Sequence, residues 1–491
     1  MKKLSDIMAS RTEIAVSALA LERDPPITAL TADSRKIVPG TLFAALPGTR
    51  HDGRDFIAQA VAAGASAVLA PKGTVLPPGC EHVALIEDLN PRRRLALLAA
   101  AFYGAQPQRI AAVTGTNGKT STAQFTRQIW SGLGHRSGAM GTLGLVADGF
   151  PNIETLTTPD PVELHRLLAE LARGGVTHLA MEASSHGLDQ FRLDGVLVTC
   201  AGFTNLTRDH LDYHRTMEAY FQAKATLFER VMPQGAVAVL NADTPQFEAL
   251  AALCRSRKQT VIGYGERGRE LALHSARPLP HGQQVEIEVF GTRHSLELPL
   301  VGNFQLWNAL CALGLVIGSG EDPAAATAQL ARLEGVRGRL DLVARLKNGA
   351  AVYVDYAHTP DGLETVLKAL RPHTVGRLVA VFGAGGDRDP GKRPLMGEVV
   401  ARLADRAIVT DDNPRSEVPA VIRAAILAAC PDATEIGDRA EAIEAAIAGL
   451  EQGDVLVVCG KGHEQGQIVG TEVRPFDDAA VARAAVGRLN V

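Results

Sequence analysis

The chain has six cysteines, Cys80, Cys200, Cys254, Cys311, Cys430 and Cys459, and no two of them form a C-x-x-C pair. That absence argues against a thiolate zinc site or a dithiol redox centre, and the apolar neighbourhoods of most of them suit buried free thiols in a reducing compartment. No apolar run approaches the ~20 residues needed to span a bilayer; the stretch Leu95–Tyr103 falls far short. The opening M-K-K-L-S-D-I-M-A-S has two lysines but no apolar run behind them, so no signal peptide is expected and a cytoplasmic protein is. A basic excess is also missing. The formal net charge of −4 predicts no nucleic-acid partner, and any anionic substrate must be met by local basic residues.

What is present is ordinary globular composition, 46% hydrophobic and 21% charged, over 491 residues, enough for about three domains. The expected boundaries are 1–90, 91–336 and 337–491. The first block has short apolar runs, turns and an alanine-rich helix pattern, and Asn90-Pro91 is a helix-start signal. The second alternates strands (Ile110–Val113, H-L-A-M-E, V-T-C-A-G-F, A-V-A-V-L) with helical patterns, which predicts parallel βαβ units. The third repeats that plan. Its four apolar strands run into A-V-Y-V-D-Y-A-H, G-A-G-G-D-R-D, D-D-N-P-R and G-K-G-H-E. Ligands of open parallel sheets bind beyond the carboxyl ends of the strands. Asp355, His358, Arg388, Arg415 and Glu464 are therefore expected to converge. The fold class is α/β: a small N-terminal domain, a central P-loop-type parallel-sheet domain and a Rossmann-like C-terminal domain.

T-G-T-N-G-K-T-S, Thr114 to Ser121, lies between a buried strand and a helix pattern. This is the context of a phosphate-binding loop, in which backbone N–H groups and a helix N-terminus face an anion. Lys119 would reach the β- and γ-phosphates, and the Thr120 hydroxyl would ligate Mg²⁺. Val113 stands where the general motif has its first glycine. Lys224 lies four residues after Tyr220, on the apolar stripe of E-A-Y-F-Q-A-K-A-T-L-F, where an ammonium must snorkel outward, be paired or be modified. In the loop that follows Ala407–Val409, Pro414 fixes its own φ and restricts Asn413, so Arg415 hangs from a stiffened segment.

T-G-T-N-G-K-T-S resembles the variant phosphate loop of the Mur ligases and their folylpolyglutamate synthetase relatives, three-domain ATP-dependent amide-forming enzymes, and the resemblance covers essentially the whole chain. It implies ATP contacts from Gly115, Thr116, Asn117, Gly118, Lys119, Thr120 and Ser121, and from Asn308, Arg339, Asp355 and His358. It implies magnesium at Thr120, Glu182, His210 and Lys224, the lysine carbamylated to N6-carboxylysine, with Lys119, Lys224 and His210 serving catalysis. The first block resembles the uridine-nucleotide-binding domain of the branch that adds the third peptide residue of the cell-wall precursor. On that likeness Ser34, Thr49, Arg50, His51, Thr157, Thr158, Ser184, Gln190 and Arg192 would hold UDP-MurNAc-L-Ala-D-Glu. Arg388, Asp412, Asn413, Pro414, Arg415, Gly460 and Glu464 would hold meso-diaminopimelate, because D-N-P-R matches the diaminopimelate-adding branch and lysine-adding relatives lack that arginine. A monomer that closes its domains around ATP is expected. The alternatives are the same ligase adding L-lysine, or a folylpolyglutamate synthetase-like enzyme. A P-loop motor and a non-catalytic UDP-sugar binder fit less well: the former leaves the last domain's small-ligand motifs unused, the latter Lys119 and the metal positions.

Overall fold

The computed structural model describes residues 2–9, 23–48 and 51–489. The chain divides into two compact units, residues 1–269 with 311–326, and residues 270–310 with 327–491.

The first unit begins with a four-stranded parallel sheet in the order Ala29–Thr31, Thr41–Ala44, Ala65–Pro71, Ala84–Asp88. Helix Pro91–Tyr103 is capped by the Asn90 side chain, which accepts from the Arg93 N–H, and has proline in its first turn. Its Leu95, Leu97, Leu98 and Ala101 pack with Leu4, Ile7, Leu42 and Leu69, so this helix belongs to the core of the first sheet. The next sheet runs Thr260–Gly265, Val237–Asn241, Cys200–Phe203, Arg109–Thr114, His178–Glu182, Ser137–Gly141, with Gly144–Ala147 at its end. All neighbours are parallel except the last pair. The chain leaves Arg109–Thr114 for strands on one side of it and returns to build the other. This reversal places the loop after Thr114 at the topological switch point, the position at which α/β sheets open a crevice.

The second unit holds an antiparallel meander, Leu271–Leu279, Gly282–Val289 and Thr292–Leu298. Leu271–Leu279 carries a run of exposed residues in its second half, so it lacks the unbroken apolar signal of the buried parallel strands. Its main sheet is ordered Asp341–Arg345, Ala351–Asp355, Val455–Cys459, Leu378–Phe382, Arg406–Val409, Thr434–Glu435, antiparallel only at the first pair. Helices Pro360–Leu370, Lys392–Leu403 and Pro419–Leu427 cover one face; Arg439–Ala448 and Asp478–Leu489 cover the other. Covered faces on both sides explain why the strands read as continuous apolar runs. All four strands expected from the third block are present, and their carboxyl ends lie along one edge. No helix among the described residues is long and apolar enough to cross a membrane.

Candidate active site

In the first unit, the loop after Thr114 turns on two left-handed glycines. Gly115 has φ 149° and Gly118 has φ 85°. A Cβ on Gly115 would lie 1.9 Å from Thr204 Oγ1, so the position admits no side chain. The loop is pinned by the strand beside it: Thr116 N–H donates to Asn205 O (2.9 Å), Asn117 N–H to Asn205 Oδ1 (2.9 Å), and Thr204 Oγ1 to Asn117 O (2.6 Å). Gly118 caps helix Lys119–Gly132, whose first turn buries Thr120 and Ser121. Val113 is strand interior. The loop therefore starts at Thr114, one residue after the place where the general motif carries glycine.

Lys119 folds back on this loop and donates to Gly115 O (2.9 Å) and Thr116 O (2.8 Å). Lys224 does not snorkel. It is 1% exposed, donates to the same Gly115 carbonyl at 2.7 Å, and lies 4.2 Å from the centroid of the Tyr220 ring. Burial, then the neighbouring Lys119 charge, pushes its amine down to about 6. The Tyr220 hydroxyl reaches Thr116 Oγ1 at 3.3 Å.

Glu182 closes the strand next to the loop, in register with Val113. Its buried carboxylate accepts from Thr142 N–H (2.8 Å) and Thr142 Oγ1 (3.2 Å), while its backbone carbonyl accepts from Thr158 Oγ1 (2.9 Å). From there a polar chain continues. Ser184 Oγ donates to Thr158 Oγ1 (3.0 Å), and Arg192 donates to Thr158 O (2.7 Å) and to Gln190 Oε1 (2.7 Å). Thr157 meets Thr142 hydroxyl to hydroxyl at 3.2 Å. The fold thus joins Thr157, Thr158, Ser184, Gln190 and Arg192 to Glu182. His210 is exposed and left-handed at φ 52°. Its ring lies 4.9 Å from His186 and 6.1 Å from Tyr220. His186 and His214, which complete this aromatic group, were not singled out in the sequence, although M-E-A-S-S-H-G and D-Y-H both display them. Burial lowers the pKa of each.

In the small sheet, Ser34 lies in a short turn of helix capped by Asp33, and His51 is exposed with its ring 6.3 Å from Phe56. Thr49 and Arg50 lie outside the described residues.

In the second unit, Asp355 ends its strand buried, with its carboxylate accepting from Leu340 N–H (2.7 Å) and Ala357 N–H (2.8 Å). Burial raises its pKa against the pull of Arg339. Arg339 lies over the Tyr356 ring at 4.8 Å. Asn308 donates to Gln305, which donates to Arg339 O, so Asn308 and Arg339 are linked through one glutamine. His358 Nδ1 contacts its own loop at Tyr356 O (2.8 Å).

The Asp412–Arg415 loop is the most constrained part of this edge. Arg415 has φ 52°, a strained value for a residue with a side chain. The hairpin Gly466–Val469/Glu472–Pro475 holds it there: Arg415 N–H donates to Ile468 O (3.1 Å), and Gly470 N–H donates to Arg415 O (2.8 Å). Its guanidinium is half-buried and donates to Gly386 O (2.8 Å). Asn413 donates to Glu464 Oε2 (3.0 Å) and accepts from Lys461 Nζ (2.9 Å) and Ile468 N–H (2.9 Å). Asp412 Oδ2 is buried without a hydrogen-bond partner, and a Cβ at Gly460, whose φ is 121°, would sit 2.4 Å from it. Gly460 N–H donates to Asp355 O (3.2 Å). Asp355, Arg415 and Glu464 are thereby bound into one lattice of contacts. Arg388 is exposed and donates weakly to Asp387 O (3.4 Å), outside that lattice. Lys461, wholly buried between Asn413 and Glu464, was passed over in G-K-G-H-E, where only its neighbours were singled out.

The chain matches three family models: the Mur ligase family catalytic domain over residues 26–103, the Mur ligase middle domain over 113–316, and the Mur ligase glutamate ligase domain over 338–462. It is 58% identical over 463 residues to the UDP-N-acetylmuramoyl-L-alanyl-D-glutamate–2,6-diaminopimelate ligase of Caulobacter vibrioides, covering 93% of this chain and 95% of that one. It is 52% identical to the enzyme of the same name from Bradyrhizobium diazoefficiens, covering 99% and 100%. A solved structure of a ligase of this name superposes with a TM-score of 0.72 at 34% identity, covering 94% and 95%.

Proposed function

The chain belongs to the Mur ligase family, and from that premise we propose that it joins meso-2,6-diaminopimelate to the D-Glu γ-carboxylate of UDP-MurNAc-L-Ala-D-Glu at the expense of ATP. The observation that carries this reading is the Asp412–Arg415 loop. Its arginine is held in a strained conformation by a hairpin, while Asn413 of the same loop donates to a carboxylate, Glu464, and Asp412 Oδ2 is buried without a partner. A loop that carries a guanidinium and adjoins carboxylates suits an amino-acid end, carboxylate to the arginine and ammonium to the acids. L-Lysine has no carboxylate at that end of its chain.

The roles follow from the chemistry of each group. The substrate carboxylate attacks the γ-phosphorus of ATP, the bond to ADP breaks, and an acyl phosphate forms. The neutral amine of diaminopimelate then attacks the acyl carbon, phosphate leaves with the C–O bond electrons, and the surplus N–H proton passes to solvent. Gly115–Ser121 present backbone N–H groups and a helix N-terminus to the phosphates, and Lys119 exchanges its carbonyl partners for phosphate oxygens. Thr120 and Glu182 offer oxygen donors, the ligand type Mg²⁺ selects, and His210 and a carbamylated Lys224 complete that set. Bound there, Mg²⁺ supplies charge neutralisation to the transferring phosphoryl group. Thr157, Thr158, Ser184, Gln190 and Arg192 orient the dipeptide, with Ser34, Thr49, Arg50 and His51 on the uridine nucleotide. Asn308, Arg339, Asp355 and His358 serve the nucleotide, and Arg388 and Gly460 join the amino-acid site. The first domain, taken with helix Pro91–Tyr103 that packs into its core, the central domain and the last carry the uridine nucleotide, ATP and the amino acid, in a cytoplasmic enzyme.

Phosphate release from ATP with UDP-MurNAc-L-Ala-D-Glu, compared between diaminopimelate and L-lysine, tests the assignment. Turnover with diaminopimelate is expected. Turnover with lysine alone would reverse the specificity, and turnover with neither would remove the reading.

A further inference from the structure

His135, His178 and Glu321 come together at the amino-terminal edge of the first unit's central sheet, with their ligand atoms all within 4.8 Å of one another. They are 43 and 143 residues apart in sequence, and none has a part in the chemistry above. Glu182, at the other end of His178's own strand, lies about 13 Å away by strand rise. The cluster is therefore separate from the phosphate loop.

From this geometry we propose that His135, His178 and Glu321 form a binding site for a divalent transition metal, with zinc as the fitting ion. The spacing suits it. Two ligands of one tetrahedral zinc lie roughly 3.3–3.6 Å apart when each bond is about 2.0–2.2 Å. Glu321 Oε1 is 2.9 Å from His135 Nε2 and 3.7 Å from His178 Nε2, which brackets that separation for the carboxylate, while the two imidazole rings, stacked at a centroid distance of 4.0 Å, must splay to share one ion. The donor set of two imidazoles and one carboxylate suits zinc and its neighbours better than magnesium, which prefers oxygen alone.

The surroundings orient His178 as a ligand. The Thr177 hydroxyl lies 2.8 Å from His178 Nδ1 and 3.3 Å from Arg136 O. When the hydroxyl donates to that carbonyl, its oxygen accepts the Nδ1 proton and the Nε2 lone pair faces Glu321. This is the outer hydrogen bond that fixes metal-binding imidazoles. The ring is held further by Trp130, at a centroid distance of 5.0 Å, whose indole N–H donates to Ser319 Oγ (3.2 Å).

Two helix ends add to the field. Lys119–Gly132 finishes three residues before His135, and Asn303–Gly318 finishes three residues before Glu321. The carbonyl ends of helices favour positive charge within about a turn. Arg109, paired in register with His178, is the opposing positive group, and it is exposed. The site is reachable, because the His135 and Glu321 side chains are 31% and 22% exposed. An ion here would tie the far end of the phosphate-loop helix to the sheet edge.

The test uses the full chain, stripped of metal by a chelator and held in excess Mg²⁺ so that oxygen-ligand sites are filled. Cobalt(II) is titrated and its visible absorption recorded, with zinc as competitor, for the wild type, His135→Asn and Glu321→Gln. One equivalent should bind the wild type and be displaced by zinc. Each substitution should weaken binding by roughly tenfold or more, and zinc should raise the melting temperature of the wild type alone. Two partly exposed positions are used so that the outcome does not depend on one variant folding. No saturable cobalt spectrum, or equal binding and equal thermal shifts in all three proteins, overturns the proposal.

Discussion

Lys224 offers the sharpest test of the proposed mechanism. An ordinary lysine, with its pKa near 10.4, is about 0.04% neutral at pH 7. Held at about 6 by burial and by Lys119, the Lys224 amine is about 90% neutral at that pH, a gain of roughly 2000-fold. Only the neutral amine attacks CO₂: its lone pair forms the N–C bond, a C=O electron pair moves to oxygen, and the amine proton leaves to solvent. The product reverses the sign of the charge beside Lys119, so that a repulsion becomes an attraction. The assay is ¹³C NMR of the enzyme in labelled bicarbonate, run for the wild type and Lys224→Ala, with phosphate release measured in parallel. One carbamate signal is expected in the wild type and none in the variant. It should fade as pH falls through about 6, because protonation removes the nucleophile. Turnover should drop by at least about a hundredfold in Lys224→Ala, and acetate or formate should restore part of it. A wild type without the label-derived signal, or a variant with full turnover, refutes the reasoning.

Arg415→Ala should cost roughly 1.5–3 kcal/mol of diaminopimelate recognition, about 10- to 150-fold in kcat/KM for that substrate, while ATP affinity measured by calorimetry stays within about twofold. Gly115→Ala should abolish nucleotide binding, since its Cβ would fall 1.9 Å from Thr204 Oγ1; retained binding by calorimetry would count against the loop assignment. Arg439 and Asp478 are fully buried and paired through two contacts of 2.7 Å. Arg439→Ala leaves that carboxylate unpaired and should destabilise the second unit by about 3–5 kcal/mol, seen as an early transition in denaturant unfolding followed by fluorescence or circular dichroism.

The parallel strands were legible because burial on both faces writes them as unbroken apolar runs, and the phosphate loop because its glycines are demanded by backbone geometry. Lys224 was legible as an anomaly, a charge on an apolar stripe, and its depth and its bond to Gly115 follow from packing. The meander of residues 271–298 was missed because strands such as Leu271–Leu279 alternate little and carry many exposed residues. Pairing with their neighbours, rather than composition, defines them. Asn90-Pro91 marks a helix start correctly, but a capping signal does not say which core the helix joins; its leucines pack with the first sheet. Lys461 stood in plain view in G-K-G-H-E, yet only the closing of Asn413 against Glu464 shows why a lysine is buried there. No local pattern could have found His135, His178 and Glu321, which meet only through the order of the strands.

The hairpin of residues 466–475 gives the Arg415 loop a support from outside the residues assigned to the amino acid. Two backbone hydrogen bonds from that hairpin hold the arginine at its left-handed φ. On the proposed assignment, selectivity can therefore drift by changes in a ribbon that supplies none of the residues named for substrate. A longer or shorter turn near Gly470 would swing the guanidinium away while leaving D-N-P-R intact. Transplanting the motif alone into a lysine-using relative would then fail, and transplanting the motif together with its ribbon is the exchange to make.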